Sequence, residues 1–360
     1  MNKLAALLLV CFLSASAFAE NRVAVHSPMW SHQIPGKVNL VKALNDTVVV
    51  GGEDGVYLFD YDKNRRGFHA TDAAVTSVRV LEDGKTVITT SDGTIRMLGG
   101  GLTPIWERTI PGYVGYDSAI DAVGGLIVCG SMDGYVYVFD NNGTYLWKHL
   151  IGSYVTNVRL LVDRIVAASD RQVYILDLDG RVRRNLDLTG YVRSAKITDT
   201  EILVGMSDGV LYAYNVTGGL TWNLKLNQHV SAIDVDGDIT VGTRDKQIIR
   251  LRGDGVYMWV INVSDAVVSV RSDGGDVVAA TLDGRVYAYN SRGVLVWYYE
   301  AEGRPSALSV SDGRVLAGTT VGRIYYSKIP RIEGTSSLIF IFAAAAILAV
   351  AFILAARSWR

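Results

Sequence analysis

A chain of 360 residues carrying 35 Lys and Arg against 36 Asp and Glu has a formal charge of −1, which excludes a general nucleic-acid binder, since that role needs a strongly basic face. Its two cysteines, Cys11 and Cys129, exclude a disulfide framework. Length alone leaves one large domain or two ordinary ones open.

Residues 1–19 read as a secretory signal peptide: a basic start at Lys3, an apolar run over 4–13 and a small-x-small cleavage site at Ala17-Phe18-Ala19. Val10 stands before Cys11 where a lipobox has a small residue, so lipidation is not expected. The body, 20–328, is rich in glycine and poor in proline, and residues 159–196 are locally basic but offset by their own aspartates, as in a solvated surface.

A turn followed by an apolar-aromatic strand recurs along the body. Its copies include Glu53-Asp54-Gly55-Val56-Tyr57, Met132-Asp133-Gly134-Tyr135-Val136-Tyr137 and Asp283-Gly284-Arg285-Val286-Tyr287. The copies end at 57, 96, 137, 174, 212, 249, 287 and 325, at spacings of 39, 41, 37, 38, 37, 38 and 38. A tryptophan follows ten residues after most of these ends, at Trp106, Trp147, Trp222, Trp259 and Trp297, with Gly67 and Arg184 in its place twice. Two further alternating apolar runs precede the next turn, as at 155–161 and 165–168. Asp-Gly between apolar strands supplies the positive dihedrals of a tight hairpin, so each copy predicts a four-stranded unit. Repetition of such a unit about every 38 residues predicts an all-β, eight-bladed β-propeller of antiparallel blades. The last copy ends after three strands and Trp30 has no preceding anchor, so residues 23–34 are expected to donate the outer strand of the eighth blade and close the ring.

Residues 329–337 read as a juxtamembrane linker and 338–356, which are uncharged and apolar, as a transmembrane helix. Arg357 and Arg360 fit a cytoplasmic tail, 357–360. The expected location is therefore the cell membrane, single-pass, with the propeller on the extracytoplasmic side.

The runs Tyr135-Val136-Tyr137-Val138-Phe139-Asp140-Asn141-Asn142-Gly143-Thr144-Tyr145-Leu146-Trp147 and Val210-Leu211-Tyr212-Ala213-Tyr214-Asn215-Val216-Thr217-Gly218-Gly219-Leu220-Thr221-Trp222 resemble PQQ-like repeats. That family includes quinoprotein dehydrogenases, the propeller subunit of the bacterial barrel-assembly machinery and archaeal surface proteins. The resemblance implies fold, not chemistry.

The dehydrogenases of the family use a vicinal cysteine pair, which this chain lacks. Its five histidines, His26, His32, His69, His149 and His229, have no metal-ligand spacing, and no Gly-x-Ser-x-Gly or Walker signature occurs. Asp234-Val235-Asp236-Gly237-Asp238 is the most calcium-like stretch, but it falls where other copies have an ordinary hairpin. No catalytic residue, metal or cofactor is expected.

What remains is a binding surface. Propeller topology places the inter-blade loops on one face and the chain exit on the other, so the exit face is expected toward the membrane and the loop face outward. In successive loops the residue before a recurring valine is Lys37, Ala74, Tyr113, Tyr154, Tyr191, His229, Ala266 and, in the eighth, about Pro305. Extra residues in the third loop bring in Tyr116, and Arg193 lies just past the fifth. Tyr113, Tyr116, Tyr154, Tyr191, Arg193 and His229 form the candidate partner-binding arc, for which recognition and bracing of neighbouring loops are rival roles. Asn-x-Ser/Thr sequons at Asn45, Asn142, Asn215 and Asn262 are candidate glycosylation sites, the first three on the exit face. The expected partner is an extracytoplasmic protein, surface-layer component or glycan, not nucleic acid. The rival functions are a cofactor-dependent, quinoprotein-like redox enzyme and a structural envelope spacer.

Overall fold

The computed structural model describes residues 25–44, 46–115, 117–188 and 190–330. The expected signal peptide, the linker from 331, the apolar segment 338–356, the tail, Asn45 and Tyr116 lie outside them. Among the described residues no helix is long and apolar enough to cross a membrane.

Eight four-stranded antiparallel sheets follow one another. Blade 4 is representative: Val155–Leu160, Arg164–Ser169, Gln172–Asp177 and Val182–Asp187, each paired with the next in sequence. The inner strands of the eight blades are Leu40–Ala43, Val75–Val80, Ile120–Val123, Val155–Leu160, Val192–Ile197, Val230–Asp236, Val267–Asp273 and Pro305–Ser311. Each touches the inner strands of the blades on either side, so together they ring a central channel.

Period-2 alternation cannot describe second and third strands that are covered on both faces, and the strand Arg164–Ser169 accordingly reads as nearly continuous apolar sequence, Ile165-Val166-Ala167-Ala168, all fully buried. Cys129 occupies such a position, and burial pushes its thiol up to about 12.

The core is a set of seams between blades. Leu203, Leu211 and Ala213 of blade 5 pack on Val230, Ile233, Val241 and Ile249 of blade 6. At five of the eight seams the valine that leads into the inner strand (Val38, Val75, Val155, Val230 and Val267) seats against a glycine in the second strand of the preceding blade. A Cβ on Gly205 would lie 2.5 Å from Val230, and one on Gly318 would lie 2.2 Å from Val38. Burial of each such valine stabilises by roughly 1.5–3 kcal/mol.

The ring closes as expected. Trp30–Gln33 pairs with Arg323–Lys328 as the outer strand of blade 8, in the register Trp30 to Tyr326 and Gln33 to Arg323. The 8/1 seam then buries Ile34, Val41, Val50, Tyr57 and Phe59 against Leu316, Ile324 and Tyr326.

Tryptophans hold the outer strands to the next blade. The indole N–H donates to a backbone carbonyl in that blade's third-to-fourth turn: Trp106 to Asn141 at 2.8 Å, Trp147 to Leu178 at 2.8 Å, Trp222 to Gly253 at 3.1 Å, and Trp259 to Ser291 at 3.1 Å. Trp297 reaches Lys328, where the chain leaves blade 8, at 3.0 Å. In blade 4 Arg184 fills the tryptophan's place and covers Gly218 instead.

Candidate partner-binding face

The loop face is built by inter-blade loops and by the turns between second and third strands. In those turns an aspartate accepts the N–H two residues on, as Asp92 does from Thr94 at 3.1 Å and Asp208 from Val210 at 3.1 Å. The loops are stapled to the turns by the main chain. The residue before the recurring valine accepts an N–H from its own blade's turn: Ala74 from Ser91, Tyr113 from Met132, Tyr191 from Ser207, His229 from Arg244 and Ala266 from Leu282, at 2.8–2.9 Å. The valine's own N–H donates backward to the preceding blade, as Val155 does to Ser131 at 3.0 Å and Val192 to Asp170 at 2.8 Å. With the backbone fixed from both sides, the side chain before the valine projects outward from a rigid base.

The eighth loop corrects the sequence register. Thr320 donates to Arg304, at 2.9 Å, and Pro305 pairs with Thr319 as Val267 pairs with Thr281. Arg304 therefore holds the projecting position and Pro305 the valine's, where its missing N–H removes the backward staple. The valine was the marker in sequence, and its replacement hid the shift.

Tyr113 and Tyr191 are exposed, at 38% and 47%. Tyr154 is half-buried, and Arg193 is exposed on the inner strand of blade 5. Tyr191 is also braced: the Arg171 guanidinium, from the turn of blade 4, donates to its hydroxyl and sits 4.3 Å over its ring. His229 donates its backbone N–H to Asp245 Oδ2 at 2.6 Å, and its Nδ1 lies 3.2 Å from the same oxygen. These contacts hold the Asp245 carboxyl below its usual range, the His229 backbone N–H contributing most. In the third loop a short 3₁₀ turn, Asp117–Ala119, delays the inner strand to Ile120. The arc thus brings Tyr113, Tyr154, Tyr191 and His229 to the loop face on four consecutive blades, and bracing and exposure coexist in Tyr191.

Asn142 and Asn215 lie in third-to-fourth turns on the exit face, both exposed. The Asn215 Oδ1 accepts the N–H groups of Thr217 and Gly219, at 3.1 and 2.8 Å, and locks its turn. Asn262 ends the outer strand of blade 6 on the loop face, and its Oδ1 accepts from Gln247 Nε2 at 2.9 Å. The calcium-like stretch is a hairpin tip whose carboxylates turn to different partners: Asp234 to the Ser272 N–H at 2.8 Å and Asp236 to the Gly275 N–H at 3.0 Å, while Asp238 lies 3.7 Å from Arg250. Among the described residues no group of three or more His, Cys, Asp or Glu could hold a metal ion.

Sequence reasoning passed over an apolar outer edge. Tyr145, Leu146 and Leu150 on blade 3 and Tyr257, Met258 and Val260 on blade 6 are exposed on outermost strands. The signal was present in outer strands whose solvent-facing positions are apolar.

Comparison with known proteins supports a PQQ-like propeller family. Residues 207–325 match the family model described as outer membrane protein assembly factor BamB, and residues 63–97 match that of the WD domain, G-beta repeat. No curated protein matches. Among solved structures, the computationally designed Ika8 protein aligns with a TM-score of 0.74 at 19% identity, covering 84% of this chain and 98% of that one. BamB from Moraxella catarrhalis aligns at 0.71 and 14% identity, covering 84% and 99%. Chaetomium thermophilum Sqt1, in a structure bound to the N-terminus of the ribosomal protein L10, aligns at 0.68 and 14% identity, covering 81% and 97%. At these identities the likeness is one of fold.

Proposed function

We propose that this protein is a non-enzymatic, extracytoplasmic scaffold, anchored through its C-terminal apolar segment, that binds a protein, surface-layer component or glycan on its loop face. One observation carries the reading. Ile329 donates its N–H to Gly313, in a first-to-second turn, at 2.8 Å, so the chain leaves from the exit face and the arc of Tyr113, Tyr154, Tyr191 and His229 stands on the opposite one. A linker of about nine residues spans at most roughly 30 Å, which keeps the exit face toward a membrane and the loop face away from it. The Sqt1 structure, a propeller holding a peptide segment of another protein, supports protein recognition by this architecture.

The test is site-specific photo-crosslinking of the full chain in cells, with the probe at position 191 or at position 142. The scaffold reading expects one partner captured from 191 and lost when Tyr113 and His229 are replaced by Ala, with nothing comparable from 142. Capture from 142 alone, or from neither, overturns the assigned face, and a cofactor absorption band in the purified protein overturns the non-enzymatic role. Deleting 338–356 releases the protein from the membrane fraction if that segment is the anchor.

A further inference from the structure

Two residues after the tryptophan position, the outer strand of each blade turns a side chain into the seam with the next blade. In the other blades that position holds a histidine (His32, His69, His149) or an apolar or aromatic residue such as Leu224 and Tyr299, all buried or half-buried. Blade 2, whose outer strand is Pro104–Thr109, has Arg108 there, and Arg108 is exposed. Main-chain carbonyls hold its guanidinium: Nε donates to Gly143 and Nη1 to Glu107, each at 2.7 Å. The seam between blades 2 and 3 therefore lacks the side chain that seals the others, and a cavity of about 280 Å³ opens there.

The floor of this cavity is apolar. Ile110, Tyr137 and Phe139 line it and are buried. The Tyr137 hydroxyl donates to Asp133 Oδ2 at 2.5 Å, so the ring is its contribution to the floor. Tyr145, exposed at the edge, meets Phe139 edge-on at 5.9 Å.

The charges around the floor have one sign. Arg108 and Lys148 line the cavity, and no Asp or Glu among the described residues does. Lys148 lies over the rings of Tyr135 and Tyr137, at 4.3 and 5.5 Å. The carboxyls nearby have work elsewhere. Asp140 is held below its usual range by the N–H groups of Thr144 and Asn142, at 2.7 and 2.9 Å, and less by the Arg108 charge, so its oxygens close their own turn. Glu107 lies 2.5 Å from Arg96, its cross-strand partner.

Beside the cavity runs the outer strand of blade 3, Tyr145–Leu150, which is the edge of its sheet and exposes Tyr145, Leu146 and Leu150. Such an edge presents unpaired N–H and C=O groups to any extended chain. Blade 7 shows one occupied: Val25 pairs in parallel with Tyr298, and His26 donates its N–H to the Tyr298 carbonyl at 2.8 Å. Tyr298 follows Trp297 as Lys148 follows Trp147, so the two stand at the same register.

We propose that the groove between blades 2 and 3 docks an extended acidic peptide segment of another protein. The segment adds its main chain to the edge at Lys148 as residues 25–26 add at Tyr298, and seats an apolar side chain on Tyr137 and Phe139. A carboxylate beside that side chain pairs with Arg108 and Lys148, and this complementarity of charge selects an acidic occupant. The groove is separate from the loop-face arc and does not rest on it, and Asn142 is not among the residues that line it.

The test is selection of a library of short random peptides, displayed on phage, against the full chain kept in detergent. Enriched sequences are expected to carry Asp or Glu beside an aromatic or aliphatic residue. A synthetic peptide of the most enriched sequence should bind about tenfold more weakly to Arg108→Leu, which sets a sealing side chain where Leu224 stands in blade 5, and about threefold more weakly to Lys148→Gln. Binding should be unchanged in Arg292→Gln, which alters an exposed turn of blade 7. Circular dichroism checks that each variant is folded, and either folded variant alone decides the matter. No enrichment, enrichment without acidic residues, or binding that the folded groove variants leave unchanged overturns the site. A dimer in sedimentation that Arg108→Leu dissolves identifies a second copy of this chain as the occupant and overturns the peptide. Capture from position 191 is untouched by any of these results, so the two readings fail separately.

Discussion

The indole N–H of Trp30 donates to the main-chain carbonyl of Tyr61 at 2.7 Å. Trp30 lies in the outer strand of blade 8 and Tyr61 in a turn of blade 1, so this one bond repeats, across the closure, the staple that other tryptophans make between sequential blades. The ring of Trp30 also lies 5.4 Å from that of Tyr326. Trp30→Ala is expected to cost about 3–4 kcal/mol, the lower part of the range for an aromatic truncation because the side chain is half-buried. Denaturant midpoints measure the loss, and an unchanged midpoint would mean the closure contributes nothing.

The closing segment is also sensitive to acid. Burial lowers the pKa of His26, whose ring stacks on Trp297 at 5.1 Å and whose Nε2 is buried without a hydrogen-bond partner among the described residues. Burial first, then the charges of Lys63 and Arg65, lowers that of His32, which meets Phe59 edge-on at 4.9 Å. Both bases are held neutral in the fold, so below the ordinary value of 6.5 the unfolded chain takes up protons first. Stability is therefore complete above that value and falls as the pH drops from it toward the lowered folded values. Melting temperatures taken between about pH 7.5 and 5.5 should show this decline, and His26→Phe should flatten part of it.

Gly143 has a φ of 75°, and a Cβ there would meet the Trp106 ring at 2.8 Å. Gly84 has a similar φ of 80° with nothing near its Cβ position. Gly84→Ala should therefore cost only the dihedral strain, roughly 1 kcal/mol, and Gly143→Ala about 1–3 kcal/mol more. Equal losses, measured by chemical unfolding, would show that the tryptophan seat is not tight.

Asp121→Ala removes the acceptor for two buried N–H groups and leaves the Arg79 and Arg159 side chains facing each other without it. The expected cost is about 3–5 kcal/mol, large enough to read in thermal melts of the folded chain. Arg79→Met on the same background should recover part of it, since one of the stranded charges is then gone.

The eight blades were legible because a turn followed by an apolar-aromatic strand recurs at a nearly fixed interval, with Asp-Gly in five of the eight turns, and the closing strand because Trp30 stood without an anchor. Partnerships between repeats were less legible. That Trp106 sits over Gly143, or Val230 against Gly205, depends on the angle between neighbouring sheets, which no single repeat encodes. The loop-face residues could be named from their position before a valine, and the reading slipped where Pro305 replaced that valine. The groove between blades 2 and 3 was hidden for a related reason: Arg108 reads singly as a surface charge. Only the register of the outer strands shows that it stands where other blades seal the seam.

The strand that closes the ring belongs to the beginning of the chain, and its partner, Arg323–Lys328, to the end of the propeller. Synthesis proceeds from the amino terminus, so the segment around Trp30 must wait through the making of roughly 300 residues before its hydrogen-bonding edge is filled. Blades 1 to 7 can each complete a local sheet as they emerge, whereas the eighth cannot form before the chain is nearly whole. Folding should accordingly show an early phase of local hairpins and a late docking of the first strand, and until that docking the waiting edge is the molecule's most aggregation-prone feature.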